Sequence, residues 1–368
     1  MPTNSDVSEY EMAQAAVVWL RDRLPATWEV GPTKRGEFQP PDGNVDAAID
    51  LRGPNGTFST MVVDVKRSFG PRDVNGLFTG IGRTLQALGG NPILVVAPWL
   101  SHRSQELLAT EGLNYLDLTG NALIRLEYPT VYIETRGATK NPSPPVLSKA
   151  RVQGPKAGRL IRTLVDVRPP YGVRGLAASA NLSVSYVSRL LDALAEEALV
   201  ERTKRGGVQS ADVAGLLRRW AETYDVFRSN SARRYLAPSG ASSTLKQLAT
   251  PGLEAVVTGS FAAVRIAPVS APTLLSIYSL TPATVIETLG FIPADQGANI
   301  ALLTPFDPVI WERTSTEDGI TYVAPSQAAA DCLTGNGRMP AEGDAVVRWM
   351  TDHEGAWRLP SLPTGVER

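Results

Sequence analysis

One stretch, residues 154–208, leaves the chain little choice of local shape. It reads GPKAGRLIRTLVDVRPPYGVRGLAASANLSVSYVSRLLDALAEEALVERTKRGGV. Leu160, Ile161, Leu164 and Val165 fall on one face of a helix. Pro169 and Pro170 end that helix, because proline has no N–H for the next turn. A short second helix follows, with Val173, Leu176 and Ala177 as its apolar face and Arg174 near its start. Asn181 and Leu182 make a turn. Ser183 then stands where its hydroxyl can accept a free backbone N–H of a third helix. That helix points Val187, Leu190, Leu191 and Leu194 inward, leaving Ser185, Tyr186, Ser188 and Arg189 outward. Residues 199–202 and 206–208 read as two short strands, with Arg202 at the end of the first and Lys204 and Arg205 at the tip.

A helix, a turn, a helix and a hairpin make the pattern of a winged helix-turn-helix. Such a module meets base edges with the N-terminal end of its last helix, and the hairpin tip touches phosphate. On this reading the DNA-facing residues are Arg174, Ser183, Ser185, Tyr186, Ser188, Arg189, Arg202, Lys204 and Arg205. Charge agrees. Residues 146–235 hold sixteen Lys or Arg against eight Asp or Glu, whereas the whole chain has a net charge of −1. A basic centre in an otherwise acidic chain suits phosphate binding.

At 368 residues the chain is long enough for two to four domains. No apolar run approaches the roughly 20 residues that span a bilayer, and the first residues lack the basic start and apolar stretch of a secretory signal. A single cysteine, Cys332, excludes a disulfide framework and points to a reducing, cytoplasmic compartment. The only histidines are His102 and His353, with no zinc-binding cluster or HExxH pattern. No GxxxxGK[ST] or GxGxxG loop is present.

Residues 1–136 read as an α/β domain. Residues 8–23 have helical periodicity, and residues 27–30 suit a short strand. Two longer strands, residues 45–51 and 58–66, flank a tight turn at Pro54, Asn55 and Gly56. By the two-residue period, Asp46 and Asp50 share one face of the first strand, and Asp64 and Lys66 one face of the second. Folding at the turn brings Asp46 opposite Asp64. A helix over 72–88 carrying Gln86, a strand at 92–97, a helix at 101–111 and strands at 115–118, 122–126 and 131–134 complete the domain. Asp117 is expected to cap the turn at Gly120 and Asn121.

Asp46 followed by Asp64, Val65 and Lys66 resembles the PD-(D/E)xK nuclease family. That resemblance implies Mg²⁺ held by Asp46 and Asp64, and a Lys66 that orients or polarises the attacking water. The chain departs from the pattern in two places. Asp64 stands for the commoner glutamate, and Val45 precedes Asp46 instead of proline. The nuclease is therefore the runner-up reading. Under the leading one the domain has no cofactor and serves as a scaffold or second contact.

Residues 137–149 are rich in proline and polar side chains and read as a linker. The winged module occupies 150–210 and a helical connector 211–234, with Leu216, Leu217, Trp220, Tyr224 and Phe227 inward. The C-terminal α/β domain spans 235–368. Its start, a strand at 254–258, Gly259-Ser260, a helix and a strand at 274–280, has the order of a nucleotidyltransferase fold. The second strand, LLSIYSL, carries none of the acids that would hold a metal. Further strands fall at 299–304 and 318–323, followed by two helices around a glycine-rich turn with Arg338, Pro340 and Glu342.

From Leu147 to Trp357 the chain resembles the AbiEi-type antitoxins of type IV toxin–antitoxin systems. The matching pieces are residues 173–195, TGSFAA, TPFDPVIWER and APSQAAADCLTGNGR. The resemblance implies a transcription regulator, a repressor of its own promoter. It also implies a cognate nucleotidyltransferase-like toxin as partner, which the added N-terminal domain puts in question. Double-stranded DNA is the expected ligand. A homodimer on two half-sites is the expected assembly, with no membrane contact.

Overall fold

The computed structural model describes residues 8–33, 46–74, 77, 91–142 and 152–363. They fall into two compact units, one before the linker and one carrying the bulk of the remainder. Among the described residues, no helix is long and apolar enough to cross a membrane.

The first unit is a seven-stranded sheet whose strands lie side by side in chain order. They are β1 Glu29–Pro32, β2 Ala47–Arg52, β3 Phe58–Val65, β4 Ile93–Ala97, β5 Asn114–Asp117, β6 Ala122–Leu126 and β7 Val131–Thr135. The pairs β3–β4 and β4–β5 are parallel, and the other neighbours antiparallel. Helix α1 (Glu9–Arg21) starts at a reciprocal cap between Ser8 and Glu11. Its Met12, Ala16 and Leu20 are buried with Ile49, Met61, Val63 and Leu94. The opposite face of the sheet, with Val62, Val95 and Tyr115, is buried with Leu108 of α2 (His102–Thr110). Alternation of side chains along each strand supplies both layers.

The hairpin turns where the sequence places it. Asn55 and Gly56 take left-handed φ of 62° and 73°, a conformation asparagine and glycine tolerate best. The register puts Ala47 opposite Val63. Residues 71–74 are helical, but most of the helix expected over 72–88, Gln86 included, lies outside the described residues. Of the expected linker, residues 137 and 138 belong to the first unit. Gly137 N–H donates to Asn121 Oδ1 at 2.8 Å, and Ala138 C=O accepts Trp99 Nε1–H at 3.0 Å.

The second unit begins with α3 (Gly154–Asp166), α4 (Val173–Ser179) and α5 (Val184–Glu196). The antiparallel pair β8 (Val200–Arg202) and β9 (Val208–Ala211) follows. Next come α6 (Val213–Ala221) and α7 (Val226–Ser229), so the expected connector helix is broken at residues 222–225. Asp225 caps the new start through Phe227 and Arg228 N–H, both at 2.9 Å.

Its sheet has the order β13, β10, β14, β12, β11, β16, β15. In chain order these strands are β10 Ser231–Leu236, β11 Val256–Thr258, β12 Leu275–Tyr278, β13 Ile292–Pro293, β14 Ile300–Thr304, β15 Ser315–Glu317 and β16 Ile320–Tyr322. The helices among and after them are α8 (Ala241–Gln247), α9 (Ser260–Ile266), α10 (Pro282–Leu289), α11 (Pro325–Leu333) and α12 (Met339–Asp352).

The division at residue 235 needs correcting. Strand β10 begins inside the expected connector, and one continuous core joins Leu160, Leu164, Val187 and Leu191 to Trp220, Tyr224, Ile277, Tyr278 and Ala328. The helical module and the sheet are one packed body, because α3 and α6 bury apolar faces on the same cluster. Gly158 lets them approach, since a Cβ there would lie 3.0 Å from the Trp220 ring.

Candidate functional site

Two places concentrate chemistry. The first lies at the end of β3. Asp46 and Asp64 come opposite each other, one step beyond the Ala47–Val63 pair. Asp46 Oδ2 accepts Val65 N–H at 2.7 Å, and Lys66 Nζ donates to Asp64 Oδ1 at 2.7 Å. Lys66 therefore holds one carboxylate, while a backbone amide holds the other. Asp64 is only 4 % exposed, and its Oδ2 is buried with no hydrogen-bond partner. Burial pushes the Asp64 carboxyl above its ordinary range. Lys66 pulls against this, and the Asp46 carboxylate adds to the rise.

A buried carboxylate with one oxygen lacking a donor, beside a second carboxylate, suits a small hard cation. The pair therefore fits the Mg²⁺ implied by the nuclease resemblance. Among the described residues no cluster of three or more His, Cys, Asp or Glu gathers in a metal-binding arrangement. Asp50 shares the face but is committed to Thr33 and Thr60 hydroxyls at 2.7 and 2.9 Å. Asp117 is fully used as a turn cap. It accepts Thr119 N–H and O–H, Asn121 N–H and Nδ2–H, and Leu100 N–H, all within 3.1 Å.

The second place is the outer face of α5 and the hairpin tip. Ser183 Oγ accepts Tyr186 N–H at 3.3 Å, so the expected cap is made. Ser185 and Arg189 are exposed, and Tyr186 and Ser188 are half-buried. Burial raises the Tyr186 phenol, which keeps it a neutral O–H donor at physiological pH. Arg174, Lys204 and Arg205 are exposed.

Arg202 does not join them. Its guanidinium donates to Asp192 Oδ1 at 2.6 Å and to Gly206 C=O at 2.9 Å, which ties the hairpin to α5. Three of its five N–H donors are engaged in this way within the hairpin and α5. Not singled out from the sequence was Arg159 on α3. It donates to Asp307 Oδ2 at 2.9 Å and to Asn181 C=O at 3.4 Å. An arginine one residue before Leu160, in a helix with a strong apolar face, was the available signal.

In the sheet of the second unit, Gly259 takes φ +63°, and Ser276 and Tyr278 are buried on β12. The acid of this region comes from a helix instead. Asp331 on α11 is fully buried and accepts Thr258, Tyr224 and Tyr278 hydroxyls at 2.5, 2.6 and 3.0 Å, and Gln327 Nε2–H at 2.8 Å. Burial raises its pKa, against four hydrogen bonds that lower it. With all four donors pointing at it, this carboxylate is a structural anchor.

No known protein family matches this chain, and no curated protein does. Two solved structures show partial likeness. The EndoMS–dsDNA2 complex is 25 % identical over 32 % of this chain and 46 % of that one, with a TM-score of 0.23. EndoMS in its apo form is 21 % identical over 31 % and 47 %, with a TM-score of 0.20. The chain thus spans about half the length of each.

Proposed function

We propose that the chain is a sequence-specific DNA-binding regulator, with residues 154–211 acting as a winged helix-turn-helix. The observation that carries this reading is the two-sidedness of α5. Val187, Leu190, Leu191 and Leu194 are sealed in the core, while the capped N-terminal end keeps Ser185 and Arg189 toward solvent, with Tyr186 half-buried between the two faces. A helix held that way presents side chains to a major groove at fixed geometry. Lys204 and Arg205 at the tip supply phosphate contacts. The antitoxin-like resemblance makes autorepression the natural role, with a toxin protein and a second copy of the chain as partners. The test is a salt titration of binding to duplex DNA, first on a randomised library and then on the enriched site. Binding that is salt-dependent and site-selective supports the reading.

A second reading rests on Asp46, Asp64 and Lys66. Their convergence, with the Asp64 Oδ2 atom buried and unpartnered, favours a first unit of PD-(D/E)xK type. Asp46 and Asp64 would hold the cation, which when bound neutralises charge at a phosphate and activates water. Lys66 would orient that water. Incubation of plasmid and linear DNA with Mg²⁺ or Mn²⁺, beside Asp64→Ala and Lys66→Ala controls, tests it. Cutting by wild type that both substitutions abolish would make the nuclease the primary activity.

A further inference from the structure

We infer that Arg159 is a positioning residue for the α5 helix, and that Asp307 in the loop before residues 308–311 sets it. The inference rests on the DNA-binding reading for its consequence, but its geometry stands alone. Arg159 lies on α3 and reaches two places at once. Its Nε donates to Asp307 Oδ2 at 2.9 Å, and its Nη1 reaches the C=O of Asn181 at 3.4 Å. Asn181 is the left-handed residue, φ 51°, of the turn that leads into α5. Ser183, two residues on, caps α5. One guanidinium therefore joins the sheet-bearing part of the unit to the bend that aims the DNA-facing helix.

Asp307 is itself fixed. It is 2 % exposed, and its other oxygen, Oδ1, accepts Val309 N–H at 2.9 Å. The same segment grips α3 again. Arg162, fully buried, donates to Gln327 Oε1 at 2.8 Å, Glu312 C=O at 3.1 Å and Val309 C=O at 3.4 Å. Asp166 takes Arg162 Nε at 3.2 Å and Arg313 Nε at 2.6 Å. Positions 159, 162 and 166 thus lie along one stripe of α3, all engaged by residues 307–313 or by α11. Arg162 and Asp166 fix the helix, whereas Arg159 continues past it to the turn.

A shift of residues 307–313 would therefore move the Asn181 carbonyl and tilt α5. That gives the C-terminal sheet, or any partner that binds it, a mechanical route to DNA selectivity. Coupling of this kind acts on the readout of bases, which needs sub-ångström aim, and spares phosphate contacts at the hairpin tip.

The test uses Asp307→Asn in the full chain. This variant keeps Oδ1 as the cap for Val309 and replaces only the oxygen that faces Arg159 with an amide donor. Arg159→Ala and the double variant complete a cycle. Thermal unfolding checks that each is folded. The expected result is a loss of about tenfold in the ratio of specific to non-specific affinity, within the usual span of coupling between sites. The salt slope on non-specific DNA should not change, and the double variant should lose no more than either single one. Hydrogen exchange at the amides of residues 181–186 should quicken in both single variants, whether or not DNA is bound. Unchanged exchange overturns the inference whatever the DNA result. Faster exchange beside a wild type that binds no DNA retains the positioning role and overturns the DNA-binding reading. Faster exchange with an unchanged specificity ratio overturns the assignment of selectivity to this contact.

Discussion

Lys66 and Asp64, two residues apart on one strand face, share a 2.7 Å ion pair that satisfies only one of the two carboxylate oxygens. The other is buried without a donor. The folded state therefore holds this acid at a cost, and the cost has a direction in pH. The Asp64 carboxyl lies above its ordinary value of 3.8 when folded, mainly through burial. Its proton is bound more tightly in the native state, so its contribution to stability is complete below that ordinary value. The contribution is lost as pH rises through the raised value.

Asp64→Asn should accordingly stabilise the metal-free chain at neutral pH, by about 1 kcal/mol. Its amide can donate where the orphaned oxygen lay. The gain should shrink toward pH 4 and below. Chemical denaturation at a series of pH values measures it, and a variant less stable than wild type at pH 7 would show that Lys66 already compensates the burial.

Divalent cations should distinguish the two proteins. Mg²⁺ or Mn²⁺ at about 100 times its dissociation constant would stabilise wild type by about 2.7 kcal/mol. It should leave Asp64→Asn nearly unmoved. Thermal shifts of equal size in both would place the ion elsewhere.

Arg189→Ala should cost about 1–3 kcal/mol on an enriched DNA site and flatten sequence preference. Lys204→Ala and Arg205→Ala should weaken all duplexes alike and lower the salt slope. Arg202→Ala should behave differently from these, loosening the hairpin with little direct electrostatic effect. Anisotropy titrations at several salt concentrations separate the three patterns.

Asp331→Leu should destabilise the second unit by about 3–5 kcal/mol, because four buried donors lose their acceptor together. Tyr278→Phe removes one donor and should cost about 1 kcal/mol. Equal losses from the two substitutions in denaturant titrations would contradict the anchor role.

The second unit should transfer no nucleotide. Labelled nucleoside triphosphates with Mg²⁺ and RNA or protein acceptors provide the measurement. Label transfer abolished by Ser260→Ala would reverse the expectation that follows from Ser276 and Tyr278 on β12.

Much of this was legible in the sequence where local rules dominate. The three helices around residues 154–196 follow from apolar spacing, two prolines and a serine cap. The facing of Asp46 and Asp64 follows from one asparagine–glycine turn and a period of two. Strand β10 was not legible, because SARRYL carries two arginines and pairs with residues 300–304, about seventy positions away. Asp331 was hidden for the same reason. Its donors Tyr224, Thr258 and Tyr278 are local to nothing near it in the chain, and only the packed sheet brings them together. The shared core was missed because each apolar stripe looks self-sufficient when read alone, whereas α3 spends its stripe on two partners.

That shared core has a consequence for how such a chain can change over evolutionary time. A helical module with its own interior can be cut out and spliced to new company. This one cannot, since Leu160, Leu191, Trp220 and Ile277 line a single interior. The helices and the sheet must be inherited as a block, and the outer face of α5 can change only by substitution, not by exchange of the module.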